Sequence, residues 1–392
     1  MTFQETLLCT WRVMKREVKR ITSRPIYLFG MIGAPLICLI FFISLMRSGL
    51  PYELPIAVVD MDNSADSRSL IRQLDVFEQT QVYIKTQSFQ EAREAIQKGE
   101  VYGIFYIPEG FASKVTSGRR PKISFYTNAS YLIAASLLFR DMKTISVLAG
   151  GAVGLKTGQA KGYTDKQIMA QVQPIVIDTH PLGNPNINYS VYLNNTILPG
   201  ILQLMIFIMT VFSIGSELKY ATSREWVKTG GNSFTASLVG KLFPHTVIFF
   251  FVGMLIISIL YGYNAFPLQS GWGPMMLDML LLILAAQCCG ILMISTLPTL
   301  RLGLSFACLF GMVSFSIVGF SFPTPAMDPM LQSLALLFPL RHYYLIYVDQ
   351  ALNGRAMFYS MGEYLWLVGF FILPVIMGRH LKAAMLYFKY IP

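Results

Sequence analysis

The chain has 392 residues, 54% of them apolar and only 13% charged, with a mean hydropathy of +0.52. A soluble domain carries about twice that charged share, so lipid is the expected solvent for part of this chain. Long uncharged runs alternate with ordinary polar sequence, which excludes a uniformly soluble globule. The formal charge of +10 raises nucleic-acid binding as an alternative, and its placement along the chain decides against it below.

In residues 1–24, Phe3, Leu7, Trp11, Met14, Val18 and Ile21 recur at spacings of three and four. Arg12, Lys15, Arg16, Lys19 and Arg20 fill the remaining face. The pattern predicts an amphipathic helix in the membrane interface, apolar stripe in the acyl boundary and cations towards phosphate. Lipid alone accounts for it; contact with a protein partner stays open. Residues 26–46 are the first of six stretches long enough to cross a hydrocarbon core, which takes about 20 helical residues. Their uncharged run is too long for a signal peptide and no small-residue cleavage site precedes Arg47, so a retained anchor is expected.

Residues 47–195 predict a folded domain. IAVVD (56–60), VYGIFYI (101–107) and residues 123–126 read as short strands, while SADSRSLIRQLD and SFQEAREAIQKG read as helices. Ser88 with Glu91 three residues on predicts a capping box. A longer helix is expected from Ser130 to about Ala160, and a last strand at 174–180. Strand and helix alternate, which predicts an α/β domain. Asp60, Asp62 and Asp66 are spaced like part of a calcium loop, but Ala65 and Ile71 stand where its glycine and bidentate glutamate belong. A strand-end turn and helix cap explain them better. The region holds no cysteine; the five in the chain are Cys9, Cys38, Cys288, Cys289 and Cys308, so no disulfide framework or metal site is expected.

The remaining spans are expected at 197–216, 242–262, 275–297, 302–322 and 361–378. Between the last two, residues 334–347 are apolar but interrupted by Pro339 and Arg341, which predicts a surface or re-entrant segment. Asp278 and Glu363 are the acids within spans. Each lies in the first turns of its helix, where interface water and the helix dipole tolerate a negative charge.

Lys and Arg orient the chain. With six spans, residues 1–24, the 217–241 loop, the turn at Arg301 and the 379–392 tail share one side. They hold 14 of the 31 basic residues against Glu5, Glu17, Glu217 and Glu225, which leaves the whole net charge of +10 there. That side is predicted to be cytoplasmic, with residues 47–195 and 323–360 opposite. Topology and anionic lipid headgroups explain the positive charge, and no nucleic-acid partner is needed.

The 217–241 loop combines Glu217, Arg224, Glu225, Trp226, Lys228 and Lys241 around the Gly230-Gly231 break. Docking of a soluble partner and a solvated connector fit it equally. No ATP motor is legible: Gly240-Lys241 has Thr235 in place of the first glycine of a phosphate loop and Leu242 in place of its hydroxyl residue.

Four stretches, PIAVVDMDNSADSRSLIRQLD (55–75), DTHPLGNPNINYSVYLNNTILPGIL (178–202), REWVKTGGNSFTASLVGKLFP (224–244) and GFSFPTPAMDPMLQSLALLFPLRHYYLIY (319–347), resemble type-2 ATP-binding cassette permeases with a large external domain after the first span. They occur in that family's order. In its coupling region the family has an E-R/K-E-x-G-T-like stretch; here Arg224-Glu225 runs into Trp226-Val227, and the family glutamate maps to Glu225. The resemblance implies a polytopic α-helical membrane protein: six transmembrane helices plus an extracytoplasmic α/β domain inserted between the first and second. It implies a multidrug-export-like permease in a bacterial inner membrane, both termini cytoplasmic, moving amphipathic small molecules outward. The partners implied are a separate ATPase, which holds ATP and Mg, and a second permease copy or paralogue; a periplasmic adaptor is left open. The chain itself would hold no cofactor or catalytic residue. Glu217, Arg224, Glu225, Trp226, Lys228 and Lys241 would form the coupling surface, flanked by the helix of Trp11, Arg12, Lys15, Arg16, Lys19 and Arg20. Gly200, Gly290, Gly303 and Gly311 offer close helix approach for a dimer interface. Export of a lipid-linked glycan is a second reading, disfavoured by the large insert. A mechanotransmitter acting through the external domain is a third.

Overall fold

The structure, a computed structural model, describes residues 3–117, 119, 121–173, 180–185 and 187–387. It divides into two compact units, one of residues 1–47 with 181–392 and the other Ser48–His180. The chain opens with α1 (Phe3–Ser23) and α2 (Pro25–Leu45), the first of six helices long and apolar enough to cross a membrane. Pro25 sits at the start of α2, where its missing N–H costs nothing, and a π-turn occupies Phe29–Gly33.

The Ser48–His180 unit is built on a four-stranded sheet of order β2-β1-β3-β4. Its elements are β1 (Leu54–Asp60), α3 (Ala65–Leu74), β2 (Thr80–Thr86), α4 (Phe89–Lys98), β3 (Gly103–Ile107), α5 (Phe111–Thr116), β4 (Ser124–Thr127), α6 (Leu132–Ala160) and α7 (Asp165–Val172). β1 pairs in parallel with β2 and β3, and β4 closes the edge antiparallel to β3. Alternate residues of β1 point to opposite faces: Ile56 and Val58 join Leu70, Leu74, Leu138 and Met142, while Ala57 and Val59 join Ala92 and Ala95. Both faces of the central strand are therefore covered by helices, as parallel strands require.

Two local expectations change in this unit. β2 was not read from the sequence, because its Thr, Gln and Lys break the apolar run. The box at α4 is half formed: Ser88 caps Glu91 N, but the Glu91 carboxylate takes the Thr86 hydroxyl instead of returning to Ser88. The full reciprocal cap stands at α3, between Ser64 and Ser67. Asp60 accepts from Asp62 N, Asn63 N and the Ser67 hydroxyl, and Asp62 accepts from Ala112 N. These carboxylates thus tie the turns that follow β1. The strand expected at 174–180 falls almost wholly outside the described residues.

The other unit continues with α8 (Tyr189–Lys219), α9 (Ser223–Thr229), α10 (Phe234–Tyr263), α11 (Trp272–Thr296), α12 (Leu300–Ile317), α13 (Pro329–Ala335), α14 (Pro339–Ile346) and α15 (Met357–Tyr387). With α2, the helices α8, α10, α11, α12 and α15 make the six candidate spans. α8 and α11 are the most enclosed, whereas α2, α12 and α15 leave most of their apolar surface outside the fold.

Helix ends depart from the hydropathy limits. α8 extends through Lys219 and α10 starts at Phe234, so the expected 217–241 loop contracts to residues 220–233 around α9. α15 runs from Met357 to Tyr387, past the expected 361–378, so the first part of the 379–392 tail is helix. Hydropathy windows stop at a charge, whereas a helix stops where its backbone bonds run out of partners. The α14 segment is no surface helix, because Leu340, Tyr343 and Ile346 are buried against the bundle.

The four glycines also serve a different purpose from the one expected. A Cβ on Gly200 would meet Phe315, on Gly290 Thr210, on Gly303 Val211 and on Gly311 Leu204, each at under 3.0 Å. All four are taken up by close packing within one chain.

Candidate functional site

α1 is amphipathic, but its packed face is not the stripe read from the sequence. Cys9, Val13, Glu17 and Ile21, spaced by four, are the buried set, while Leu7, Trp11 and Val18 are exposed. α1 lies along α10, and Gly240 permits the approach: a Cβ there would stand 2.6 Å from Thr10 O and 2.8 Å from Val13. Arg12, Lys15 and Lys19 remain exposed, as a headgroup-facing set requires, and Arg16 and Arg20 turn partly inward.

That inward turn brings charges from three helices into one buried cluster. Glu17 of α1, Glu217 of α8 and Lys241 of α10 are each at most 1% exposed. Lys241 Nζ donates to Glu17 Oε2 at 2.6 Å and to Glu217 Oε1 at 3.1 Å. Arg16 grips Glu217 with both terminal nitrogens, at 2.6 and 3.1 Å. Arg20 also donates to Glu217, and to Ser216 Oγ at 2.7 Å. Ser213 Oγ and His245 Nε2 stand 3.0 Å from Glu17 Oε1, and the Thr222 hydroxyl closes on Glu217. Two acids are thus met by three cations, and every carboxylate oxygen has a partner.

The electrostatics follow from that saturation. Burial alone works to raise the Glu17 pKa, but the Lys241 ammonium and His245 outweigh it and hold the carboxyl well below its ordinary range. Arg16 loses some solvation by burial, yet Glu217 and Glu225 still leave its guanidinium pKa above the ordinary value. A buried ion set of this kind adds little net stability over an apolar one, but removing one member costs about 3–5 kcal/mol because its partners stay charged. The three helices are therefore coupled at this point.

α9 forms the lid of the cluster. Trp226 is fully buried, donates Nε1 to Ser237 O at 3.1 Å and lies under Lys241, whose Nζ is 4.8 Å from the ring centroid. Ser223 Oγ donates to Met385 O at 2.7 Å, and Arg224 Nε to Leu386 O at 3.0 Å, which fastens α9 to the end of α15. The outer face of α9 presents Arg224, Glu225 and Lys228. Glu225 still reaches Arg16 Nε at 3.8 Å, so the exposed face is electrostatically joined to the cluster beneath it.

The six residues read from the sequence therefore divide. Arg224, Glu225 and Lys228 are exposed and open to a partner, whereas Glu217, Trp226 and Lys241 are buried. Glu17, Ser213 and His245 were missed. The available signal was Glu17 itself, an acid four residues from both Val13 and Ile21 on one helical face.

The acids in the spans also need revision. Glu363 is half-buried and pairs with His342 Nδ1 at 2.6 Å, while His342 Nε2 meets Leu336 O at 3.0 Å and its ring stacks on Trp366. Asp278 is not in interface water: it is fully buried, and neither carboxylate oxygen has a hydrogen-bond partner within the fold.

Six apolar helices, a polar end rich in cations and a helical lid over a charge cluster define a multi-pass membrane protein. The chain matches the ABC-2 family transporter protein family over residues 25–379, and with nearly its whole length covered it belongs to that family. It is similar to the linearmycin resistance permease protein LnrN of Bacillus subtilis (strain 168), with 23% identity over 341 residues, 82% of this chain and 86% of the relative. Membership makes it the permease subunit of an ABC transporter, whose ATPase is a partner chain.

Proposed function

We propose that this permease exports amphipathic small molecules, drugs among them, and that α9 with the underlying ion cluster is where the ATPase drives it. The carrying observation is the convergence of α1, α8 and α10 on Glu17, Glu217 and Lys241 directly beneath the exposed Arg224, Glu225 and Lys228. A push on α9 is passed to α8 and α10 as a unit, because separating the charges is costly. The partner supplies ATP and Mg, and its closure would tilt the helices that carry the cluster.

The charge distribution supports placing this end in the cytoplasm, with both termini, and the Ser48–His180 unit on the far side of a bacterial inner membrane. A relative named for resistance supports outward movement of a toxic compound. The outer faces of α2 and α12, with Phe29, Ile37, Ile40, Leu309 and Met312 exposed, suit a second permease copy.

Co-expression with the ATPase tests the reading. Lys228→Glu, at an exposed position of α9, is expected to reduce ATPase copurification at least tenfold while the permease keeps its unfolding midpoint. Undiminished copurification would place the dock elsewhere. Drug efflux from vesicles holding both chains tests export; ATP turnover with no cargo moved would favour a mechanotransmitter. Thiol labelling of intact cells at Asn232→Cys and Glu109→Cys tests orientation, with only the second expected to react.

A further inference from the structure

Away from the ion cluster, α10, α11 and α15 enclose a groove of about 650 Å³. Leu238, Leu284, Ile291 and Val375 line its length. Arg379 and Lys382 of α15 stand on its lining too, and no acidic side chain does among the described residues. Arg379 is exposed and no carboxylate among the described residues reaches it, whereas the clustered cations of α1 and α10 are paired with carboxylates. One polar group lies deep in the apolar part. Gln287 is 4% exposed; its Oε1 accepts from Thr246 Oγ1 at 2.8 Å, and its Nε2 is left without any partner.

A cationic rim over an apolar trough matches the order of groups along a glycerophospholipid, phosphate first and acyl chains after it. We propose that this groove is a binding site for a membrane phospholipid with an anionic headgroup. Its phosphate pairs with Arg379 and Lys382, and its chains lie on Leu284, Ile291 and Val375. Juxtamembrane cations are the groups that select anionic over zwitterionic lipid. Because the groove is walled by α10, which carries Lys241, and by α15, which holds the α9 anchor points, the lipid would brace a helix of the cluster against the helix that fastens α9. The site needs only a chain that spans a membrane and does not depend on the cargo or the direction of transport.

The test is native mass spectrometry of the purified chain with phosphatidylglycerol or phosphatidylcholine of identical acyl chains. The wild type is expected to hold its first phosphatidylglycerol about tenfold more tightly, the effect of two nearby cations. Arg379→Gln with Lys382→Gln should erase that preference, and Leu284→Trp, which fills the trough, should remove both lipids. Arg12→Gln with Lys19→Gln, exposed cations on α1, should leave the first bound lipid in place. Equal binding of the two lipids by the wild type would overturn the proposal, as would a preference that survives the paired α15 change. If that pair proves unstable, Leu284→Trp decides: lost phosphatidylglycerol at wild-type unfolding midpoint supports the site, and retained lipid refutes it.

Discussion

Two buried acidic positions in the bundle are solved in opposite ways. At the polar end, Glu17 and Glu217 are surrounded by Lys241, Arg16, Arg20, His245 and two hydroxyls. Towards the other end of α11, Asp278 lies among Tyr261, Tyr343 and Tyr364 with neither oxygen bonded. Burial is equally complete in both places, so burial alone says nothing about what a charge is for. The first arrangement ties separate helices together, because each ion needs partners on another helix. The second ties nothing, and its acid is free to take up a proton, a water or a ligand without breaking a contact.

Lys241→Met should produce the largest effect. It leaves Glu17 and Glu217 without their shared cation and is expected to cost about 3–5 kcal/mol, read as a collapse in folded yield or unfolding midpoint in detergent. A variant that melts like the wild type would show that the cluster is not cohesive.

Glu17→Gln comes next, at about 3 kcal/mol near neutral pH, and it carries a pH signature. The folded carboxyl is held below its ordinary value of 4.5, so its stabilisation is fully present above that value and fades as pH falls towards the folded one. The wild type should therefore lose stability on acidification through that window. Glu17→Gln should start lower and show a shallower loss, and parallel pH profiles would remove Glu17 from the account.

Arg16→Gln removes one bidentate grip from Glu217, which retains Arg20, Lys241 and Thr222. With the guanidinium partly exposed, about 1–2 kcal/mol is expected. Asp278→Asn should do least, within about 1 kcal/mol of the wild type, since no partner is lost. Should it keep its unfolding midpoint yet abolish vesicle efflux, the unpaired acid belongs to the transport cycle, and the comparison sharpens into one between a structural and a working carboxylate.

Much of this architecture was readable from composition. Six spans were legible because a helix crossing lipid must be long and apolar, and residues 26–46 and 275–297 lie within one to three residues of α2 and α11 at each end. The α/β alternation of residues 47–195 was legible except at β2, where Gln81, Tyr83 and Lys85 face outward from an edge strand and hide its period. In the candidate site, Arg224, Glu225 and Lys228 were found by their place between two spans. Glu217 and Lys241 were found too, but as surface groups, because a charged residue beside a span reads as the edge of the membrane.

The amino-acid order by itself determined the spans, the cationic end and the family. These depend on local length, polarity and motif, which no distant residue alters. Tertiary structure alone decided that Glu17, Glu217 and Lys241 are one buried unit, that the glycines serve packing within the chain, and that Asp278 stands unpaired. The partners in the cluster are as much as 228 residues apart, and whether a charge is solvated, paired or stranded is fixed by what folds against it.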